Sequence, residues 1–246
     1  MSKITFVGTG SAFNHKHKNT SALLEFNGTN LLLDCGYDVP NQLSKIIDLK
    51  DLDNIWISHL HGDHINGLEE IGFKNKYLYN KKTNLIVSEN IVDGLIQYLS
   101  HTMKPDGEQY DLYEYFNIYE INKSFKISNK KFIQYPTKHI NNKPSYMIRS
   151  NNFIYTADTR FIDWKQYNID DIDYIFHDVQ LLDDTSDDYN DFVHAPLPLI
   201  LELPNNIKQK IYLMHYQKNV NNFKEILFNN NIKTIKPFDK ITFKED

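Results

Sequence analysis

His59-Leu60-His61-Gly62-Asp63-His64 comes directly after a short apolar run, residues 54–58 (NIWIS), and the reading of the whole chain turns on it. Side chains two apart on an extended chain point to the same side, so His59 and His61 can converge on one metal ion. Gly62 lets the backbone turn, and Asp63 and His64 can then face a second ion. Imidazole nitrogen and carboxylate oxygen suit zinc and neighbouring divalent ions, with no thiolate needed. A solvated polar loop is the plainer alternative, but it gives no reason for four ligand-type residues to cluster behind a strand.

Upstream, residues 4–7, 22–26 and 30–33 read as strands divided by turns at Gly8, Gly10 and Gly28. Residues 38–49 read as a helix with Leu43, Ile46 and Ile47 on one face. Downstream, residues 65–72 read as a short helix, 85–88 as a strand and 90–100 as a helix burying Ile91, Leu95, Ile96 and Leu99. Lys104-Pro105-Asp106-Gly107 signals a turn into an aromatic-rich stretch, residues 110–119. Later strands are expected at 131–135, 146–149, 153–156, 174–177 and 211–214, with helices at 196–203 and 220–229. Strands in both halves with helices between them predict an α/β fold, a four-layer αββα sandwich, as one domain over residues 1–246.

Composition narrows the function. With 41% hydrophobic and 24% charged residues in 246, the chain is globular. Its 32 acids against 27 Lys and Arg give a net charge of −5, so it has no general pull toward large nucleic acids or anionic membranes. Cys35 is the one cysteine, which excludes a disulfide scaffold and a cysteine-based zinc site. No apolar stretch reaches the 18 or so residues of a membrane span, and MSKITFVGTGSAF lacks the apolar core of a signal peptide. A cytoplasmic protein is expected. Gly8-Thr9-Gly10 is read as a tight turn, and His15 and His17 as exposed loop residues.

HLHGDH matches the His-x-His-x-Asp-His signature of the metallo-β-lactamase superfamily, and the chain resembles that superfamily along essentially its whole length. The resemblance implies that Asp34 (LLLDCG) braces the ligand loop, and that His139 (YPTKHI), Asp158 (YTADTRF) and His215 (YLMHY) complete the ligand set. One ion would be held by His59, His61 and His139, the other by Asp63, His64 and His215, with Asp158 shared. Two divalent ions, zinc or manganese, would take the formal charge from −5 to −1. Set about 3.5–4 Å apart, such ions acidify a water and polarise a phosphoryl oxygen.

IFHDVQL (His177, Asp178) and FVHAP (His194) resemble late motifs of the ribonuclease Z-like phosphodiesterases. That likeness assigns His194 as general acid and Asp178 as its orienter, with Asp63 also in the catalytic set and His177 behind them. The long basic arm that grips tRNA in that branch is missing from residues 65–138. GTGSAF, SALLEF, DCGYDVP, HLHGDHINGLEEIGF and FHDVQ resemble instead the phage and bacterial anti-Pycsar enzymes, which open cyclic nucleotides such as cyclic CMP and cyclic UMP. This implies a small cyclic-nucleotide substrate and a homodimer, in the host cytosol where phage-encoded. It gives Tyr113 and Tyr115 a role in stacking on the base or closing a lid, core packing being the plainer reading. A tRNA 3′-processing nuclease and a non-catalytic nucleotide-sequestering protein are the alternatives.

Overall fold

The computed structural model describes residues 2–103, 111–182, 189 and 191–243. The 104–107 turn, Tyr110 and most of the acidic stretch 183–191 lie outside the described residues. The chain forms two compact units, residues 1–8, 18–122 and 237–246 in the first and 9–17 and 123–236 in the second.

Strands are numbered along the chain. The first unit holds β1 (Ser2–Gly8), β2 (Ser21–Phe26), β3 (Thr29–Leu33), β4 (Asn54–Ile57), β5 (Thr83–Ser88), β6 (Phe116–Ile121) and β14 (Lys240–Phe243), in spatial order β14-β1-β2-β3-β4-β5-β6. The β14, β1, β2 and β3 pairings are antiparallel, while β3 to β6 run parallel. The apolar runs Leu31–Leu33, Ile55–Ile57 and Leu85–Val87 are buried on successive residues, as strands covered on both faces must be. Helices α1 (Val39–Leu43), α2 (Gly62–Ile65), α3 (Leu68–Lys74) and α4 (Val92–Met103) fill the connections. In α4, Val92, Leu95, Leu99 and Met103 share the buried stripe of a 3.6-residue period.

The second unit holds β7 (Ser124–Ile127), β8 (Lys130–Pro136), β9 (Tyr146–Ser150), β10 (Phe153–Tyr155), β11 (Tyr174–Asp178), β12 (Ile211–Met214) and β13 (Lys233–Thr234). Its sheet runs β13-β12-β11-β10-β9-β8-β7, parallel from β13 to β10 and antiparallel beyond. Helices α5 (Leu197–Leu201), α6 (Asn205–Lys208) and α7 (Lys224–Asn229) accompany it, over a core that includes Trp164, Ile175, Ile200 and Leu213.

Three expectations are corrected. The helix read over 38–49 is only α1, because the chain tightens after Ser44 into turns and a 3₁₀ segment, Leu49–Asp51. The helix read over 220–229 is a 3₁₀ turn, Val220–Phe223, followed by α7. The stacking or lid role that the resemblance gave Tyr115 yields to the plainer reading of core packing: the residue is only 1% exposed, its ring packs against Phe73 and its hydroxyl donates to the Met103 carbonyl. No helix among the described residues is long and apolar enough to cross a membrane.

Candidate metal centre

In the first unit the donors sit where β4 ends. His61 keeps extended backbone as the residue before α2, so the chain turns at Gly62 into a helix that carries Asp63 and His64. The ring nitrogens His59 Nε2 and His61 Nδ1 lie 3.0 Å apart, and the His59 and His64 ring centroids 4.2 Å apart. His64 Nε2 is 3.5 Å from Asp63 Oδ2.

Asp34 fixes this loop. Its Oδ1 accepts from the Ser58 backbone N–H at 2.8 Å, and its Oδ2 from the Ser58 hydroxyl at 2.9 Å. Asp34 Oδ2 also lies 2.9 Å from His64 Nδ1. That contact engages Nδ1 and leaves Nε2, on the Asp63 side, as the donor atom, the carboxylate–histidine arrangement typical of metal sites. The segment after β3 is laced to α2 by Cys35 N–H to the His64 carbonyl (2.8 Å) and Gly67 N–H to the Cys35 carbonyl (2.9 Å). Gly36 permits this approach, since a Cβ there would collide with the Asp63 carbonyl. Cys35 is fully buried and its thiol pKa is raised, chiefly by that burial, so it stays protonated behind the loop.

In the second unit, donors gather after β8, β10 and β12. His139 Nδ1 donates to the Val193 carbonyl at 2.8 Å, leaving Nε2 as the lone-pair nitrogen, 3.7 Å from Asp158 Oδ2. Burial lowers the His139 pKa, against the opposing pull of Asp158 and the Val193 hydrogen bond. A neutral imidazole with an available lone pair is the form a metal needs. His215 Nδ1 lies 3.2 Å from Asp158 Oδ1. His194 stacks on His215 with centroids 4.8 Å apart, and its Nδ1 donates to Asp178 Oδ2 at 2.8 Å. Asp158, Asp178, His194 and His215 each offer a donor atom within 4.8 Å of the others.

Asp178 is itself held: Oδ2 accepts from Thr159 N–H at 2.9 Å, and its own N–H donates to Thr156 Oγ1 at 3.0 Å. His177 is fully buried, packs edge-on against Trp164 and donates Nδ1–H to the Asp178 carbonyl at 2.6 Å. Burial lowers its pKa as well.

Both clusters therefore fit divalent cations by donor chemistry: buried imidazoles with tautomers set by carboxylate or carbonyl partners, and carboxylates beside them. Several contributors were not singled out in the sequence. Ser58 links Asp34 to His59, with its Oγ 3.0 Å from His59 Nδ1. Arg160 Nε donates to the His139 carbonyl at 2.9 Å, and Val193 acts only through its backbone. Ser58 and Arg160 lie one or two residues from motif residues, which was the available signal. His17, read as exposed, instead packs edge-on against Tyr216.

A model of the family described as "Anti-Pycsar protein Apyc1" matches residues 2–236. The chain belongs to the anti-Pycsar Apyc1 family. An Apyc1 protein of Paenibacillus harenae is 34% identical over 230 residues, covering 89% of this chain and 92% of the relative. One from Bacillus phage vB_BsuM-Goe3 is 36% identical over 247 residues, covering 90% and 91%. Among solved structures, the metallo-β-lactamase fold protein YhfI from Bacillus subtilis superposes with a TM-score of 0.74 at 18% identity, covering 98% of this chain and 100% of that one. That likeness establishes the fold of this Apyc1 family member as α/β, of metallo-β-lactamase type, as its signature implied.

Proposed function

We propose that the protein is a dinuclear metal-dependent phosphodiesterase that opens a 3′,5′-cyclic pyrimidine mononucleotide, such as cyclic CMP or cyclic UMP, to the monophosphate and so removes a Pycsar-type antiviral signal. In this reading both units form one domain, acting as a homodimer in the cytoplasm of the bacterial cell. His59, His61 and His139 would hold one ion and Asp63, His64 and His215 the other, with Asp158 shared. Bound zinc or manganese supplies Lewis acidity and an acidified water.

The observation that carries the reading is the Asp178–His194 pair, 2.8 Å long and set beside Asp158 and His215. In the proposed ligand set neither residue holds an ion, so the pair is free for another task. Hydrolysis of an alkyl phosphodiester does, because the departing ribose oxygen needs a proton. Asp178 takes Nδ1–H of His194 and stabilises the charged ring, so that Nε2 is the nitrogen that gives up the proton. Thr159 N–H, the Thr156 hydroxyl and His177 keep the Asp178 carboxylate and peptide from turning away. Family membership over residues 2–236 supports the choice of a small cyclic nucleotide.

The test is to incubate the protein with a panel of cyclic mono- and dinucleotides, with and without added metal, and separate the products. Cyclic CMP or cyclic UMP is expected to become the monophosphate only when metal is present. Asp63→Ala and His64→Ala should abolish this in a folded protein. Metal-replete protein that leaves every cyclic nucleotide intact contradicts the proposal, and a matured 3′ end on precursor tRNA would favour the nuclease reading.

A further inference from the structure

Folding leaves one aromatic ring in the open beside the segment that carries His215. Phe13 is 90% exposed, on the turn-rich loop Thr9–His17 that follows β1. A large apolar side chain gains nothing from such a position in folding alone. The loop is nevertheless pinned, and on the backbone of Tyr216. Ser11 N–H donates to the Tyr216 carbonyl at 3.1 Å, Asn14 Nδ2 donates to the same carbonyl at 2.8 Å, and Tyr216 N–H donates to the Thr9 carbonyl at 3.0 Å. His17 braces the loop from behind, its ring edge-on to Tyr216 with centroids 5.3 Å apart and its Nδ1 3.3 Å from Thr9 Oγ1.

Between this loop and residues 217–219 lies a hollow of about 230 Å³, lined by Phe13, Lys16, Gln217 and Lys218 among others. That volume suits a single ring and falls below the 300 Å³ or so of pockets that enclose whole ligands. None of its lining residues carries a carboxylate, in a chain whose net charge is −5. Gln217 adds a directional feature. Its Nε2 donates to the Leu181 carbonyl at 2.7 Å, which fixes the amide orientation, while its buried Oε1 has no hydrogen-bond partner. A buried acceptor left unmade is costly, and Oε1 is closed off from solvent, so a ligand N–H meets it only when the Gln217 side chain shifts toward the hollow.

We propose that this hollow is the nucleobase subsite: Phe13 stacks on the base, and Gln217 Oε1 accepts a hydrogen bond from an amino or imino N–H on the base edge, while Lys16 and Lys218 attract the anionic nucleotide. The inference rests on the reading of the site as a cyclic-nucleotide phosphodiesterase, and it locates base recognition on the 9–17 loop and not on Tyr113 or Tyr115. Stacking of a base on an aromatic ring contributes about 1–3 kcal/mol, and each 1.4 kcal/mol is tenfold in affinity.

The experiment compares wild type, Phe13→Ala, Phe13→Trp and Gln217→Leu on cyclic CMP and on an abasic 3′,5′-cyclic ribose phosphate. Phe13→Ala is expected to raise KM for cyclic CMP about tenfold or more with kcat held, and Phe13→Trp to restore it. Gln217→Leu should raise the same KM by several-fold, and the abasic substrate should respond by less than twofold to any of the three. Equal losses on both substrates, or an unchanged KM for cyclic CMP, would overturn the subsite. A binding arm separates this from failure of the proposed activity. CMP and ribose 5-phosphate are titrated into metal-loaded protein by calorimetry, where Phe13→Ala should weaken CMP alone. If wild type binds CMP and cuts nothing, the phosphodiesterase reading fails while the subsite stands. If CMP binds no better than ribose 5-phosphate, the subsite fails.

Discussion

Asp34, Ala157 and His215 all carry positive φ, at 61°, 49° and 64°. A non-glycine residue in that region costs on the order of 1 kcal/mol or more, and such strain clusters where function over-determines the backbone. Each of the three follows a strand end and either is a site residue or precedes one, since Ala157 sets up Asp158. The Asp178–His194 pair makes a chemical prediction at this scale. His194→Ala should lower kcat on cyclic CMP by about 10²–10⁴-fold with metal content unchanged, the usual worth of a general acid. Loss on bis(p-nitrophenyl) phosphate should be far smaller, because nitrophenolate leaves without a proton; equal losses in the two assays would remove His194 from that role. His177 bears on stability instead. Burial holds its folded pKa below the unfolded value near 6.5, so its contribution is complete above that pH and is lost as pH falls below it. Between pH 6.5 and 5 the melting temperature of wild type should therefore fall more steeply than that of His177→Asn, which keeps a donor for the Asp178 carbonyl; parallel slopes would contradict this.

At the scale of elements, the site depends on a close approach between the segment after β3 and α2. Gly36→Ala should push the Asp63 carbonyl away, lower the urea midpoint by the equivalent of about 1–3 kcal/mol and weaken metal retention. An unchanged midpoint would show that the approach is slack. What the sequence disclosed follows from the same physics. The buried parallel strands β3, β4 and β5 were legible because continuous Leu/Ile/Val runs between turn residues have few other uses. The strands β6, β7, β13 and β14 were not. Phe116–Ile121 reads as an aromatic-rich stretch until β5 pairs along it, and Lys233–Thr234 is two exposed residues that only β12 makes into a strand. HLHGDH could be read as a candidate donor cluster because its donors are local in sequence. His139, Asp158 and His215 follow separate strands, so spacing could not join them and only the family resemblance did. Asn54, Asn84 and Asn117 hydrogen-bond in series across β4, β5 and β6, at 3.0 and 3.1 Å, a ladder that only the strand register brings together.

For the whole molecule, the proposed ligand set draws four residues from the first unit (His59, His61, Asp63, His64) and three from the second (His139, Asp158, His215). Ligand binding that favours the folded state raises its stability by mass action, about 4 kcal/mol at a thousandfold excess over Kd. At 2–4 °C per kcal/mol for a chain of this size, zinc loading should raise the melting temperature by roughly 10 °C, and chelation should reverse it. No shift would mean that the clusters do not bind metal tightly. Most direct is the metal count itself: elemental analysis of protein loaded with zinc and passed through gel filtration. Two ions per chain are expected, falling to one or fewer in Asp158→Ala; wild-type protein that emerges with less than one ion per chain would contradict the dinuclear site.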